Sequence, residues 1–219
     1  MAYEFIKLEV ANGLATMTLG REPLNVLNIA MMKEMNAALD TLVGQGIKVL
    51  LIKADGKAFS AGVDVGEHLG DQVNEMIEVF HGIFRRMDAL GCVSVASVGG
   101  AALGGGCELA VYCDMVVASA KAKFAQPEIM VGVFPPIAAL AFPRQIGYKK
   151  ALELIVTGDT IGADEAYRLG LVNQVVAPEE LAAATDKLVG KLMKLSGLVL
   201  NLSKKAILKG LKESDPEDA

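Results

Sequence analysis

Three consecutive glycines, a glutamate just behind them and a second glutamate further on are the residues here best suited to chemistry. The stretch 99–128 reads GGAALGGGCELAVYCDMVVASAKAKFAQPE. A strand that ends in a glycine-rich turn and opens a helix leaves backbone N–H groups without helical partners. The helix dipole favours negative charge there, and glycine lets a ligand come close. Gly105, the middle glycine, is the amide that an oxygen gaining charge would meet. Losing one such donor typically raises a barrier by about 3 kcal/mol.

Glu108 falls in the first turn of that helix, and Glu128 closes Gln126-Pro127-Glu128 before an apolar run. Each alone reads equally well as a first-turn acid that caps a helix. Together, beside an N–H donor, they suit proton transfer. One holds or deprotonates a water while the other gives or takes a carbon-bound proton, at roughly 10²–10⁴-fold in rate. Neighbouring carboxylates titrate as a pair, which keeps one of them protonated near neutrality.

Other chemistries are excluded. Gly99 to Gly104 fits G-x-x-x-x-G, but Gly105 stands where a phosphate loop needs lysine. No G-x-G-x-x-G follows a strand, and G-x-S-x-G is absent. Cys92, Cys107 and Cys113 are an odd set in apolar segments, and no C-x-x-C occurs. They read as reduced, buried thiols of a cytoplasmic protein, with no metal site. His81 falls on a helix and reads as structural; His68 lies in a loop near the proposed site. A net charge of −5 gives no general attraction for nucleic acid or an anionic membrane. The opening MAYEFIKLEV alternates and does not read as a leader, and no apolar run is long enough for a membrane span. Seven lysines and no acid lie between 187 and 212, either a solvated helix face or a cationic rim for phosphates.

The flanking elements must hold those groups still. Residues 4–10 and 14–19 alternate apolar with polar, and Asn12-Gly13 between them signals a tight hairpin. Asn28 can cap a helix carrying Met31, Met32, Met35 and Leu39, ended by Gly44 and Gly46. Strands follow at 49–52 and 92–98, with a helix over 73–90 between them. That alternation predicts an α/β domain with parallel strands and crossover helices. Its ligand loops, 54–66 and 99–107, then fall at the carboxyl ends of strands. Short strands are expected at 115–118, around Phe124 and at 171–176. Helices are expected at 137–146, 149–157, 163–169, after Pro178 and at 198–212.

FSAGVD (59–64), GGAALGGGCEL (99–109), FAQPEIMVGVFP (124–135) and ALELIVTGDTIGADEAYRLGLVNQVV (151–176) resemble the crotonase superfamily, the enoyl-CoA hydratase/isomerase family. The resemblance implies a crotonase-like α/β fold of repeated ββα units over 1–195, with a helical C-terminal segment over 196–219. It implies an acyl-CoA thioester substrate and a homotrimer or dimer of trimers, with no nucleic acid, membrane or added cofactor. The family's oxyanion amides map onto Val63 and Gly105, and its hydratase glutamates onto Glu108 and Glu128. Contacts to coenzyme A map near Leu24, Ala61, Asp64 and Val65. Retention of both glutamates implies hydration; isomerase or other enolate chemistry is one rival, and a non-catalytic acyl-CoA- or RNA-binding scaffold another.

The chain departs from the family pattern in two places. The usual Pro-Gly after the second glutamate is Pro135-Pro136 here, and proline has no N–H for a water or a glutamate. The run FPPIAAL with PRQIG resembles dienoyl-CoA hydratases acting on cyclic substrates. The chain also stops short of the family's last helical turns.

Overall fold

The computed structural model describes residues 3–68, 70 and 72–211. The chain opens with β1 (Ile6–Ala11) and β2 (Leu14–Leu19), paired antiparallel from Ile6↔Leu19 to Ala11↔Leu14. Asn12 and Gly13 turn between them at φ 53° and 86°. That left-handed pair is what a two-residue hairpin requires. Ala15, Met17 and Leu19 alternate into the core.

The Asn28 side chain accepts from Met31 N at 3.0 Å and starts α1 (Ile29–Thr41). Its methionines and Leu39 are buried, as core filler should be. β3 (Val49–Ala54) then pairs parallel to β2. There follow β4 (Ala58–Ser60), a 3₁₀ turn Val65–His68, α2 (Gln72–Leu90), β5 (Val93–Val98) and β6 (Ala101–Leu103). Next come α3 (Gly105–Tyr112), β7 (Met115–Ser119), β8 (Lys123–Ala125) and a 3₁₀ turn Pro127–Val131. The remainder is α4 (Pro136–Ile146), α5 (Tyr148–Thr157), β9 (Ile161–Gly162), α6 (Ala163–Leu169), β10 (Gln174–Val176), α7 (Leu181–Met193) and α8 (Gly197–Gly210).

The strands form two sheets, a six-stranded one ordered β1-β2-β3-β5-β7-β10 and a four-stranded one ordered β4-β6-β8-β9. Beyond the opening hairpin the larger sheet is parallel. Successive strand pairs, β3–β4, β5–β6 and β7–β8, each give one strand to each sheet, which is the ββα repeat. The smaller sheet is the main departure from the expectation above. Parts of 54–66 and 99–107 are not loops but β4 and β6, paired parallel to each other. Three residues are too few to show a strand period. β10 is also shorter than expected. Leu171 and Val172 are buried without strand pairing, and Asn173 Oδ1 accepts from Val116 N at 2.7 Å.

Both faces of the large sheet are covered, which is why its strands are apolar throughout. Leu50, Ile52, Ala96 and Val98 join the main core. Val49, Leu51, Val93 and Val95 face the other way, onto Val189 and Leu192 of α7. A buried Ser97–Thr185 hydroxyl contact of 2.9 Å pins that helix. α8 is tied by Asn201 to the Gly91 carbonyl and by Lys204 to Asp114 at 2.7 Å. Lys204 is thus committed within the fold, and Lys212 lies outside the described residues. The three cysteines are free and buried, and no described helix is long and apolar enough to cross a membrane.

Candidate active site

Because β4 and β6 are parallel neighbours, the turns that leave them lie side by side. One turn carries Gly62 and Val63, the other Gly104 and Gly105. They meet with no room for side chains. A β-carbon on Gly62 would sit 3.0 Å from Leu103 O and 3.6 Å from Gly105 N. On Gly105 it would sit 2.6 Å from Val63 Cγ2 and 3.0 Å from the Phe80 ring. On Gly106 it would run into the Ser60 carbonyl. Gly104 and Gly62, at φ 51° and 106°, also occupy backbone conformations that favour glycine.

Both expected donors are held by backbone. Leu27 and Val63 form a parallel bridge, with Leu27 N donating to Gly62 O at 2.8 Å and Asp64 N donating to Leu27 O at 3.0 Å. In that pattern the N–H of Val63 itself points away from Leu27. Gly105 is the first residue of α3, where amides have no helical partner.

The glutamates reach the same place. A β-carbon on Gly104 would lie only 2.9 Å from Glu128 Oε1, so that carboxylate sits directly against the glycine turn. Glu108, 2% exposed, does not cap its own helix. Its Oε1 accepts from Ile137 N and Ala138 N, each at 2.8 Å, at the start of α4. Burial pushes the Glu108 carboxyl up to about 8; the Ala138 and Ile137 amides oppose the shift and the Glu128 charge adds to it. Burial likewise pushes Glu128 up to about 7.

Three holding groups were not legible in the motif. Ile137 and Ala138 supply the amides that Pro136 lacks; the proline takes the first helical position, where no partner is needed. Gln126 is fully buried, and with its amide nitrogen facing Glu128 it donates to both carboxylate oxygens at 3.1 and 3.2 Å. The available hint was its place two residues before a glutamate, across a proline.

The residues expected near coenzyme A lie on two neighbouring stretches of chain. Ala61 N donates to Leu24 O at 2.8 Å, so 24–27 and 61–64 run together. Leu24 and Val65 are exposed, while Ala61 and Asp64 are half-buried. His68 closes the 3₁₀ turn, with Nδ1 2.9 Å from Asp64 O, and His81 is a half-buried residue of α2.

The sequence profile of the enoyl-CoA hydratase/isomerase family matches residues 9–218. The chain belongs to that family. It is similar to a crotonyl-CoA hydratase of Syntrophomonas wolfei, 38% identical over 96% of this chain and 84% of the relative. It is similar to a cyclohexa-1,5-dienecarbonyl-CoA hydratase of Thauera aromatica, 34% identical over 80% of this chain and 69% of the relative. A crystal structure of an enoyl-CoA hydratase from Mycobacterium smegmatis superposes with a TM-score of 0.90 at 31% identity, covering 98% of this chain and 86% of that one.

In this family member the buried Glu108 makes stability depend on pH. The folded state holds a proton that the unfolded chain releases above about pH 4.5. Stability therefore falls as pH rises from about 4.5 to about 8 and levels off above that. At 1.36 kcal/mol per pKa unit, this contribution is on the order of 4 kcal/mol by pH 8. Glu108→Gln keeps an oxygen for both amides and carries no titrating charge. Urea unfolding at pH 5 and pH 8 should show the variant losing less stability than the wild type. Equal losses in both proteins would contradict the buried position of the carboxyl.

Proposed function

We propose that the chain adds water across the double bond of an α,β-unsaturated acyl-CoA thioester. The observation that carries this reading is the pair of glutamates, Glu108 buried and Glu128 half-buried, whose carboxyls are raised to about 8 and about 7 beside the Gly104–Gly105 turn. Such a pair holds one proton near neutrality. The thioester oxygen accepts from the N–H groups of Val63 and Gly105, which stabilise it as it becomes an enolate oxygen. The ionised glutamate takes a proton from a water as that water's oxygen bonds to the β-carbon. The protonated glutamate then delivers its proton to the α-carbon. The elements of one water are added, and the pair again holds one proton. Neither a metal nor a redox group enters the reaction.

Leu24, Ala61, Asp64 and Val65 hold the coenzyme A portion at the mouth of the site. The same reading places the enzyme in the cytoplasm as a homotrimer or a dimer of trimers. Support for assembly comes from exposed apolar side chains, Met130 and Phe134 after Glu128 and Leu198, Leu202 and Ile207 on α8. The acyl group is either a short straight enoyl chain or a cyclic dienoyl group, the two classes named for the relatives above. Crotonyl-CoA and cyclohexa-1,5-diene-1-carbonyl-CoA, each offered in ¹⁸O water, test the reading. One of them should give a hydroxyacyl product carrying the label. A shifted double bond with no label would favour isomerisation, and binding without turnover would favour a scaffold.

A further inference from the structure

We infer, on the basis of that hydratase reading, that Glu67 is a positioning residue which latches the turn after Val63 onto the N-terminus of α1. Glu67 Oε2 accepts from Ile29 N, the first residue of α1, at 2.7 Å. Asn28 already serves Met31 N, so the two side chains satisfy different amides of one helix start. The other hydrogen bonds described for residues 65–68 run back to Asp64. Gly66 N donates to Asp64 Oδ1, Glu67 N donates to Asp64 O, and His68 Nδ1 faces Asp64 O. The Glu67 carboxylate is the described hydrogen bond that ties residues 65–68 to another element.

That tie bears on the amide cradle. Val63 is fixed on both sides by the bridge to Leu27, two residues before Ile29, through Gly62 O and Asp64 N. The latch fixes the turn that follows Asp64 to the same stretch of chain. Residues 27–29 and 63–67 thereby form a closed frame around the Val63 peptide. An oxyanion donor must hold its direction closely, and small misplacements of reacting groups can cost up to about 100-fold in rate.

Three variants test this with crotonyl-CoA or the dienoyl thioester, whichever the wild type hydrates. Glu67→Gln keeps the accepting oxygen and should hold kcat within about threefold of wild type. Glu67→Ala should lower kcat roughly ten- to a hundredfold while KM moves less than about threefold. The carbonyl stretch of the bound thioester, read by difference infrared spectroscopy, should shift less in Glu67→Ala than in wild type. Ile29→Pro removes the donor from the other side. Proline suits the first helical position, and Asn28 before it is already extended at φ −90° and ψ 166°. Because Ile29 is also a buried core side chain, this variant should lose at least as much kcat as Glu67→Ala, and the double variant should lose no more than Ile29→Pro alone. If Glu67→Ala does not fold, Ile29→Pro decides on the same two readouts. Wild-type kcat and carbonyl shift in the deciding variant would overturn the latch, as would a lost kcat with the carbonyl shift intact. A wild type that neither hydrates nor polarises either thioester would instead sink the hydratase reading itself.

Discussion

Glu128→Gln will lower kcat for hydration by roughly 10³-fold, within the 10²–10⁴ that positioned proton transfer supplies. Glutamine preserves the shape of the side chain, and its oxygen can still accept from the buried Gln126 amide. What it removes is the exchangeable proton at the carboxylate that lies against Gly104. The loss should fall on kcat, with KM nearly unchanged, because the residues proposed to hold coenzyme A lie on other turns. Unfolding should not occur earlier, since a half-buried carboxyl raised to about 7 is a cost that glutamine does not carry. Steady-state kinetics and thermal melting of purified protein check both parts. A variant that keeps more than a tenth of wild-type kcat would remove Glu128 from the chemistry.

Gly105→Ala should be nearly as damaging, for a different reason. Its added methyl would enter space held by Val63 Cγ2 at 2.6 Å and by the Phe80 ring at 3.0 and 3.2 Å. Phe80 is buried in the core, so the strain is relieved chiefly by moving the Val63 turn away from α3. Alanine itself suits a helix start, so the backbone of α3 should persist. The expected result is a folded protein with kcat lowered by about 10²–10³-fold, the typical cost of one oxyanion donor. Circular dichroism alongside kinetics separates this outcome from unfolding. Wild-type turnover in folded Gly105→Ala would mean that the two amides do not act together.

The parts of the fold that rest on periodicity or punctuation could be read from sequence. Asn12-Gly13 marked the hairpin, Asn28 marked the start of α1, and Pro178 marked the approach to α7. The smaller sheet could not be read that way, because Ala58–Ser60 and Ala101–Leu103 are three-residue strands paired across more than forty positions. Glycine spacing pointed to the amide turns, but the clearance between them depends on that sheet. The two glutamates were visible as residue types. Their holders were not, because the amides that grip Glu108 come from Ile137 and Ala138, about thirty residues away. Pro136 suggested a missing donor, whereas the structure moves the donors to the next two residues.

A crystal structure with an enolised thioester such as acetoacetyl-CoA tests the central claim most directly. The account predicts its thioester oxygen about 2.7–3.1 Å from both Val63 N and Gly105 N, the distances expected of oxyanion donors. Glu108 and Glu128 should face the α- and β-carbons of the same ligand. A thioester oxygen bound away from those two amides, or carboxyls turned from the acyl carbons, would contradict it.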